Sequence, residues 1–193
     1  MAINFIKGML RHPLKTGAIA PSSPYLAKEM LRHWPQEKGQ VVVEFGTGTG
    51  AITGLINERL QGQQFLGFEL NPDFIALLQK KWPHLAICPR SAADLLDEMN
   101  KRQLPGAHLI VSGLPWSIFS DHLQNSILSA TAEGLTADGV FSTFAYVHAL
   151  KLKQARAFTD KLTQHFEKVH TSKVIWRNLP PAIIYHCSGK RGG

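Results

Sequence analysis

Glu44 and three alternating glycines are the residues of this chain whose types and spacing best suit ligand chemistry. The glycines are Gly46, Gly48 and Gly50. Without Cβ atoms, they allow a sharp turn and let a ligand approach bare backbone N–H groups. The apolar residues of 41–45 predict a buried strand before the turn, and helical spacing over 51–60 predicts a helix after it. A helix N-terminus favours anionic or polar groups, so the sequence predicts a nucleotide-type pocket here.

The acid before the first glycine separates two interpretations of this turn. Gly46, Gly48 and Ala51 also satisfy the looser G-x-G-x-x-G/A pattern of dinucleotide sites. A carboxylate at Glu44 would repel a pyrophosphate, whereas it suits the cationic amino group or the ribose of S-adenosylmethionine (SAM). The run E-x-G-x-G-x-G resembles the first motif of class I SAM-dependent methyltransferases. The resemblance implies SAM as cofactor, S-adenosylhomocysteine as product, and a cofactor site that includes Glu44, Gly46, Thr47, Gly48 and Gly50.

Two further acids follow the next predicted strands. Glu69 lies 69 − 50 = 19 residues after the last glycine, near the end of the predicted strand 65–70, where a carboxylate can accept both ribose hydroxyls beside Leu70. Asp94 follows the predicted strand 84–89, and the resemblance implies that it accepts from the adenine amino group, with Ala93 as a small neighbour. The alternative is that Ser91 or Asp94 caps a helix over 95–102.

The segment from Ser112 to Trp116 follows the fourth predicted strand, 108–111. Open α/β sheets bind ligands beyond the carboxyl ends of their strands, so this segment should face the transferred methyl group. It resembles the N-L-P-Y motif of amine-directed methyltransferases, although Ser112 replaces the amide or acid and Trp116 replaces the usual aromatic. The resemblance implies that Ser112, Gly113 and Leu114 line the cofactor site and that Pro115 contacts the acceptor. Trp116 would stabilise the developing positive charge by cation–π attraction, unless it packs in the core.

The N-terminal residues 2–11 predict a short, basic amphipathic helix. Such a helix can bury its apolar face among lipid headgroups, with Lys7, Arg11 and Lys15 against anionic lipid. Packing on the protein's own core is the alternative. Pro13 ends this helix, and Ser23 with Pro24 predicts the start of a second one that reaches about Trp34.

The run His12 to Ala27, together with the glycine motif, resembles bacterial phospholipid N-methyltransferases, which methylate phosphatidylethanolamine. The resemblance implies an enzyme in the cytoplasm that is bound peripherally to the inner face of the cell membrane. It implies a phospholipid substrate on an anionic membrane surface. Three side chains are candidates for taking the proton of the acceptor amine, and together with Trp116 they form the predicted catalytic set: Tyr25, Tyr146 and His148. The predicted substrate-binding residues are Lys15, Ser22, Pro115 and Arg177.

Strands alternate with helices along the chain, and two closing strands, 168–177 and 182–187, flank a turn at 178–181. This order predicts an α/β fold: a Rossmann-like, seven-stranded class I methyltransferase sheet whose last strand is antiparallel, with helices on both faces. We expect an N-terminal helical cap at 1–35 and a SAM-binding core at 36–193.

Composition narrows the partners of the protein. Its 193 residues have a formal net charge of +7, which favours partners that carry phosphate. Cys88 and Cys187 form no C-x-x-C pair and the nine histidines show no zinc spacing, so no metal is expected. The sequence also predicts neither a signal peptide nor a membrane-spanning helix.

The sequence also permits functions of different classes. The charge and the Leu-Pro-Trp run permit an rRNA adenine N6-dimethyltransferase, although Ser112 breaks that acceptor motif and no further helical domain is predicted, so nucleic acid is the less favoured partner. The glycine turn by itself is also compatible with a protein that binds SAM or lipid without catalysis, and with an NAD-dependent oxidoreductase. Nothing in the sequence sets the number of methyl groups transferred, the preferred headgroup or the oligomeric state.

Overall fold

The structure, a computed structural model, describes residues 22–191 as one sheet with helices around it. The strands are β1 (Val41–Phe45), β2 (Gln64–Phe68), β3 (Ala86–Cys88), β4 (Ala107–Ser112), β5 (Leu135–Tyr146), β6 (Phe166–Thr171) and β7 (Ala182–Lys190). The helices are α1 (Pro24–Met30), α2 (Ala51–Arg59), α3 (Pro72–Lys81), α4 (Leu95–Lys101), α5 (Asp121–Gly134) and α6 (Lys153–His165).

The strand order in the sheet is β3-β2-β1-β4-β5-β7-β6. Strands β1 to β5 pair in parallel, whereas β7 is antiparallel to both β5 and β6. The predicted fold, with its reversed last strand, is therefore confirmed. Because β6 and β5 are both antiparallel to β7, the loop 172–181 that joins β6 to β7 lies where β5 ends. We call this side of the sheet the carboxyl edge; it comprises the ends of the parallel strands and loop 172–181.

Strand β1 is buried on both faces, as its unbroken apolar run predicts. Successive side chains of a strand point to opposite faces, so Val42 packs with Leu26 and Ile56 while Val43 packs in a second cluster with Phe141. Helix α1 is part of the first of these clusters, through Leu26 and other buried side chains. The two clusters hold helices against both faces of the sheet and fix the strand ends that form the site.

The helices begin at the residues that their sequences indicate. Ser23, Asn71 and Ser120 each accept a hydrogen bond from a backbone N–H in the first turn of the helix that follows. Proline stands in the first turn of α1 and α3, where its missing N–H leaves no helical hydrogen bond unmade. These caps fix where the chain leaves the carboxyl edge and enters each helix.

The largest differences from the sequence-based expectation lie at three element boundaries. Helix α1 ends at Met30 rather than near Trp34, and Leu31 caps it. Strand β5 begins at Leu135, because Ala107 pairs with Leu135 before a register shift in the ladder. The strand expected over 168–177 is 166–171; only Ile175 of the following loop forms an isolated bridge, with Ala182.

Some expectations lie outside the described residues. The amphipathic helix at 2–11 and Lys15 belong to the segment before residue 22, and the division into a cap and a core at residue 35 stays a prediction. Among residues 22–191, no helix combines the length and the apolar composition needed to cross a membrane.

Gly50 offers a direct test of the packing beneath the glycine turn. Its φ is +87°, and an added Cβ would lie 2.7 Å from Leu78 Cδ2 and 2.8 Å from Trp82 Cζ3. Gly39 has a similar φ of +80° but open space around it. We expect Gly39→Ala to lower the free energy of unfolding by about 1 kcal/mol from backbone strain alone. Gly50→Ala should lower it by roughly 1 to 3 kcal/mol more through overpacking. Urea unfolding of both variants measures this difference, and equal losses would contradict it.

Candidate functional site

Three strand ends meet at the glycine turn. Gly46 donates a backbone hydrogen bond to Phe68 O at the end of β2, and Gly113 donates one to Phe45 O at the end of β1. An added Cβ on Gly113 would lie 3.2 Å from Gly46 O. The φ angles of Gly46, Gly48 and Gly50 are +73°, +52° and +87°, all in the left-handed region that favours glycine. The sequence-predicted turn is therefore a tightly packed junction of β1, β2 and β4.

Glu69 connects this turn to the end of β2. The side chain is buried, and its Oε2 accepts a 2.8 Å hydrogen bond from Gly48 N. Its Oε1 accepts hydrogen bonds of 2.8 Å from the backbone N–H groups of both Leu70 and Asn71. Three N–H donors thus hold one carboxylate in place beside the glycine turn. The predicted residues Glu69, Leu70 and Gly48 do lie together.

Glu44 is buried below the same turn with an incomplete set of partners. Its Oε2 accepts a 2.8 Å hydrogen bond from Thr53 Oγ1, while its Oε1 is buried and has no hydrogen-bond partner within the described part of the chain. Burial raises the pKa of Glu44 to about 8, although the hydrogen bond from Thr53 offsets part of this effect; the nearby charge of Glu69 contributes a smaller part of the increase. Thr47 Oγ1 is likewise buried without a partner among residues 22–191. Two polar atoms at the turn therefore have unused hydrogen-bonding capacity.

Asp94 forms a capping box with Ser91. Ser91 N donates to Asp94 Oδ2 at 3.2 Å, and Ser91 Oγ accepts from Ala93 N at 3.2 Å. This box closes the 3-10 turn Ala92–Asp94 that leads into α4, whereas Asp94 makes no side-chain capping bond to α4 itself. Ala93 and Asp94 are both partly buried, and the adenine role of Asp94 stays a prediction.

The Ser112–Pro115 segment is fixed by hydrogen bonds from two sides. Ser112 Oγ accepts from Leu114 N at 3.3 Å, and Ser112 O accepts from Thr143 Oγ1 at 3.3 Å. Leu114 lies against the turn, because a Cβ on Gly46 would be 3.0 Å from Leu114 Cδ2. The structure thus brings Ser112, Gly113 and Leu114 to the glycine turn, as expected.

Trp116 requires a correction. Its indole is buried, stacks on Phe158 with centroids 4.8 Å apart, and donates its N–H to Thr143 Oγ1 at 2.9 Å. The ring is part of the same apolar cluster as Phe141, so it does not present a free face to an acceptor amine. Trp116 instead positions the acceptor segment, since Thr143 links its indole to Ser112 O.

The remaining predicted residues form two pairs on the carboxyl edge. Tyr146 and His148 stack in parallel at the end of β5, with centroids 5.7 Å apart. Tyr25, at the start of α1, accepts a 2.7 Å hydrogen bond from Arg177 Nη1, and the guanidinium lies 4.9 Å from the centre of its ring. Burial raises the pKa of Tyr146, which disfavours this phenol as a proton acceptor at neutral pH.

A backbone framework connects these two pairs. Val147 N donates to Pro181 O at 2.9 Å, and the buried Asn178 accepts from Ser23 N at 3.0 Å. Ser22 immediately precedes this contact.

Sequence reasoning missed the roles of Asn178, Thr53 and Thr143. Thr53 carries a usable signal, because it lies in the first turn of α2 and so next to the strand that bears Glu44.

Comparison with known proteins shows the family of this chain. No protein-family model matches the chain. The ornithine lipid N-methyltransferase of Singulisphaera acidiphila is 32% identical over 189 residues, which cover 96% of this chain and 94% of that protein. The chain belongs to the family of this N-methyltransferase.

Solved structures of other methyltransferases have the same fold as this chain. A TehB-like SAM-dependent methyltransferase from Corynebacterium glutamicum superposes with a TM-score of 0.64 at 16% identity, covering 97% of both chains. Human methyltransferase-like protein 13, in complex with S-adenosylhomocysteine, gives a TM-score of 0.59 at 14% identity over 86% of this chain and 78% of that one. The chain therefore has the fold of class I SAM-dependent methyltransferases, whose cofactor is SAM.

The residues at the turn fit this cofactor. Glu44 Oε1 and Thr47 Oγ1 are buried polar atoms without partners in the described chain, as expected beside a polar ligand. The left-handed glycines leave room for a ligand against the backbone, and Glu69 is held at the tip of β2. Within residues 22–191, no three His, Cys, Asp or Glu side chains are grouped to hold a metal ion.

The high pKa of Glu44 makes the stability of the cofactor-free protein depend on pH. The ordinary pKa is 4.5 and the folded value is about 8, so between these values the folded state binds more protons than the unfolded state. The free energy of unfolding should therefore fall as pH rises through this window, by up to roughly 1.4 kcal/mol per pH unit. Glu44→Gln keeps an acceptor for Thr53 and should flatten this slope. Urea unfolding across the window measures both proteins, and parallel slopes would show that Glu44 does not titrate there.

Proposed function

We propose that the protein is a SAM-dependent N-methyltransferase that methylates the primary amine of a membrane aminolipid. The observation that carries this proposal is the 32% identity to a lipid N-methyltransferase over nearly the whole of both chains. The sequence resemblance favours phosphatidylethanolamine as the lipid, and the relative favours an ornithine lipid. Both headgroups present a primary amine next to an anionic group, so one site chemistry can serve either.

The cofactor residues are proposed from their contacts at the turn. When bound, SAM supplies an electrophilic methyl group on a sulfonium. Glu44 would pair with its cationic amino group, and this pairing would favour the ionised form of a carboxyl group that otherwise has a raised pKa. Glu69 has lone pairs left for ribose hydroxyls beyond the three N–H groups that it accepts. Asp94 and Ala93 would flank the adenine.

The acceptor side of the site is proposed to lie between the Ser112–Pro115 segment and the residues at the end of β5. A lipid ammonium must lose a proton before it can attack, and histidine is the side chain that most often serves as a general base in enzymes. We therefore assign the proton acceptor to His148, with Tyr146 stacked beside it. Arg177 would hold the anionic part of the headgroup, because a guanidinium binds phosphate or carboxylate bidentately. Tyr25 keeps that guanidinium in place.

The location proposed for the enzyme follows from its substrate. An aminolipid presents its headgroup at a membrane surface, so the protein would work as a peripheral protein at the inner face of the cell membrane. The net charge of +7 supports attraction to an anionic leaflet.

Transfer of label to lipid tests this function. The protein is incubated with methyl-labelled SAM and one of three acceptors: phosphatidylethanolamine vesicles, ornithine lipid vesicles or ribosomal RNA. We expect label in at least one of the two lipids. Phosphatidylcholine vesicles are the matched control, because their headgroup nitrogen has no proton and no lone pair to donate. Label in RNA, or none in either aminolipid, would overturn the proposal.

The role of Glu69 is tested separately by cofactor binding. Glu69→Gln removes the charge opposite Gly48 N and the proposed ribose hydroxyls. A hydrogen bond to a charged group contributes about 1.5 to 3 kcal/mol, so S-adenosylhomocysteine affinity should fall about tenfold or more. Glu58→Gln is the matched control, because Glu58 is exposed on α2. Isothermal calorimetry measures both variants. Unchanged affinity in Glu69→Gln would remove this residue from the cofactor site.

A further inference from the structure

The exposed large apolar side chains of the protein concentrate on one edge of the sheet. Trp176 and Leu179 in loop 172–181 are 74% and 82% exposed. Tyr25, Ile118 and Leu152 are also exposed. We call these five residues the edge set. Among the described residues the same degree of exposure recurs in one other large apolar side chain, Leu77 within α3.

The chain connectivity places the edge set at the carboxyl edge. Ile118 follows the end of β4, and Leu152 follows the end of β5. Trp176 and Leu179 belong to the loop between β6 and β7, which lies where β5 ends. Tyr25 is brought to this loop by its contacts with Arg177. The glycine turn, Glu69 and the acceptor segment lie at the same edge, so the exposed apolar residues share this edge with the proposed site.

Two of the segments that carry the edge set are also positively charged. Residues 113–120 contain no charged residue, whereas 147–153 and 172–181 contain Lys151, Lys153, Lys173 and Arg177 and no Asp or Glu. The acid that follows the first of these segments, Asp121, is paired with Lys161. Exposed aromatic and aliphatic side chains among basic ones match the boundary between anionic headgroups and acyl chains.

Loop 172–181 is held in place by hydrogen bonds and by Val174 and Ile175, which pack against the core, and not by Trp176 or Leu179. Asn178 accepts from Ser23 N and donates to Pro180 O at 2.7 Å. Ser172 N and Ile175 N each donate a 2.8 Å hydrogen bond to the backbone of β7. The backbone is fixed in this way while the side chains of Trp176 and Leu179 remain largely exposed. A preorganised loop loses little conformational entropy when it binds a surface.

We propose that the carboxyl edge docks on an anionic lipid bilayer, with Trp176 and Leu179 entering the interface below the headgroups. Lys151, Lys153 and Lys173 then lie against lipid phosphates. This inference rests on the proposed function, because it assigns the surface through which a lipid-modifying enzyme reaches its substrate. Docking on this edge turns the acceptor segment and the end of β5 toward the headgroup layer, so an aminolipid amine reaches the site without leaving the bilayer.

Vesicle binding tests the docking surface. The variant W176S/L179S is compared with wild type by co-sedimentation with vesicles of phosphatidylglycerol and phosphatidylcholine. Both side chains are exposed, so the fold and S-adenosylhomocysteine affinity should not change. Vesicle affinity should fall about tenfold or more, because the membrane affinity of a peripheral protein scales with the apolar area that it buries. Leu77→Ser is the matched control, since Leu77 is 45% exposed on α3, and it should bind as wild type does.

A second variant tests the charge on this edge. Lys173→Glu should weaken binding to vesicles that contain phosphatidylglycerol and leave the residual binding to pure phosphatidylcholine unchanged. The docking proposal falls if W176S/L179S binds vesicles as wild type does, if Leu77→Ser loses binding equally, or if W176S/L179S instead abolishes self-association in solution. The last outcome would identify the edge as an interface between two copies of the chain.

These measurements separate the docking surface from the proposed function. Binding is measured without methyl transfer, so a protein that binds vesicles through Trp176 and Leu179 but labels no lipid supports the surface and contradicts the function. Conversely, a protein that labels lipid while W176S/L179S retains full vesicle affinity supports the function and contradicts the surface.

Discussion

The carboxylate of Glu69, bound to three backbone N–H groups, is the interaction on which the site depends. Gly48 N approaches it from the glycine turn, and Leu70 N and Asn71 N approach it from the chain that leaves β2. This charge fixes the turn relative to β2, while Gly113 N fixes β4 against β1. These contacts fix the relative positions of predicted cofactor residues from three separate segments: the glycine turn, the end of β2 and the segment after β4.

Glu44 shows the opposite state within the same turn. Glu69 has a donor for each oxygen, whereas one oxygen of Glu44 is buried without a partner in the described chain and its pKa is raised to about 8. A buried, incompletely paired carboxyl group is destabilising in the free protein and becomes favourable when a cation arrives. The two acids at this turn therefore differ in role: Glu69 fixes the backbone through its hydrogen bonds, whereas Glu44 has an unpaired oxygen that can accept a hydrogen bond from a ligand.

The sequence predicted the fold, and the tight glycine turn with Glu69 beside it, because both follow from simple patterns. The valine run and the alternating glycines constrain the chain within a few residues, Glu69 follows at the end of the next strand, and the cap residues Ser23, Asn71 and Ser120 mark helix starts. The fate of Trp116 was not predictable in this way. Its position after β4 leaves open which way the indole points. Phe158 and Thr143 fix that direction, and they lie 42 and 27 residues further along the chain (158 − 116 and 143 − 116).

Loop 172–181 escaped prediction for a related reason. Its sequence favours an extended strand as far as Arg177, but Asn178 binds Ser23 N, 155 residues earlier in the chain, and this contact holds the loop at the start of α1. Only tertiary structure shows that Tyr25 and Arg177 are partners.

The reversed direction of β7 separates two loops that share one edge of the sheet. A parallel final strand would begin at the opposite end of the molecule, and its preceding loop would lie far from the glycine turn. With β7 reversed, the hairpin loop 172–181 lies at the carboxyl edge, yet among the described residues it shares no backbone hydrogen bond with residues 46–50. A substitution in this hairpin can therefore change the surface of the carboxyl edge without breaking a hydrogen bond that shapes the glycine turn.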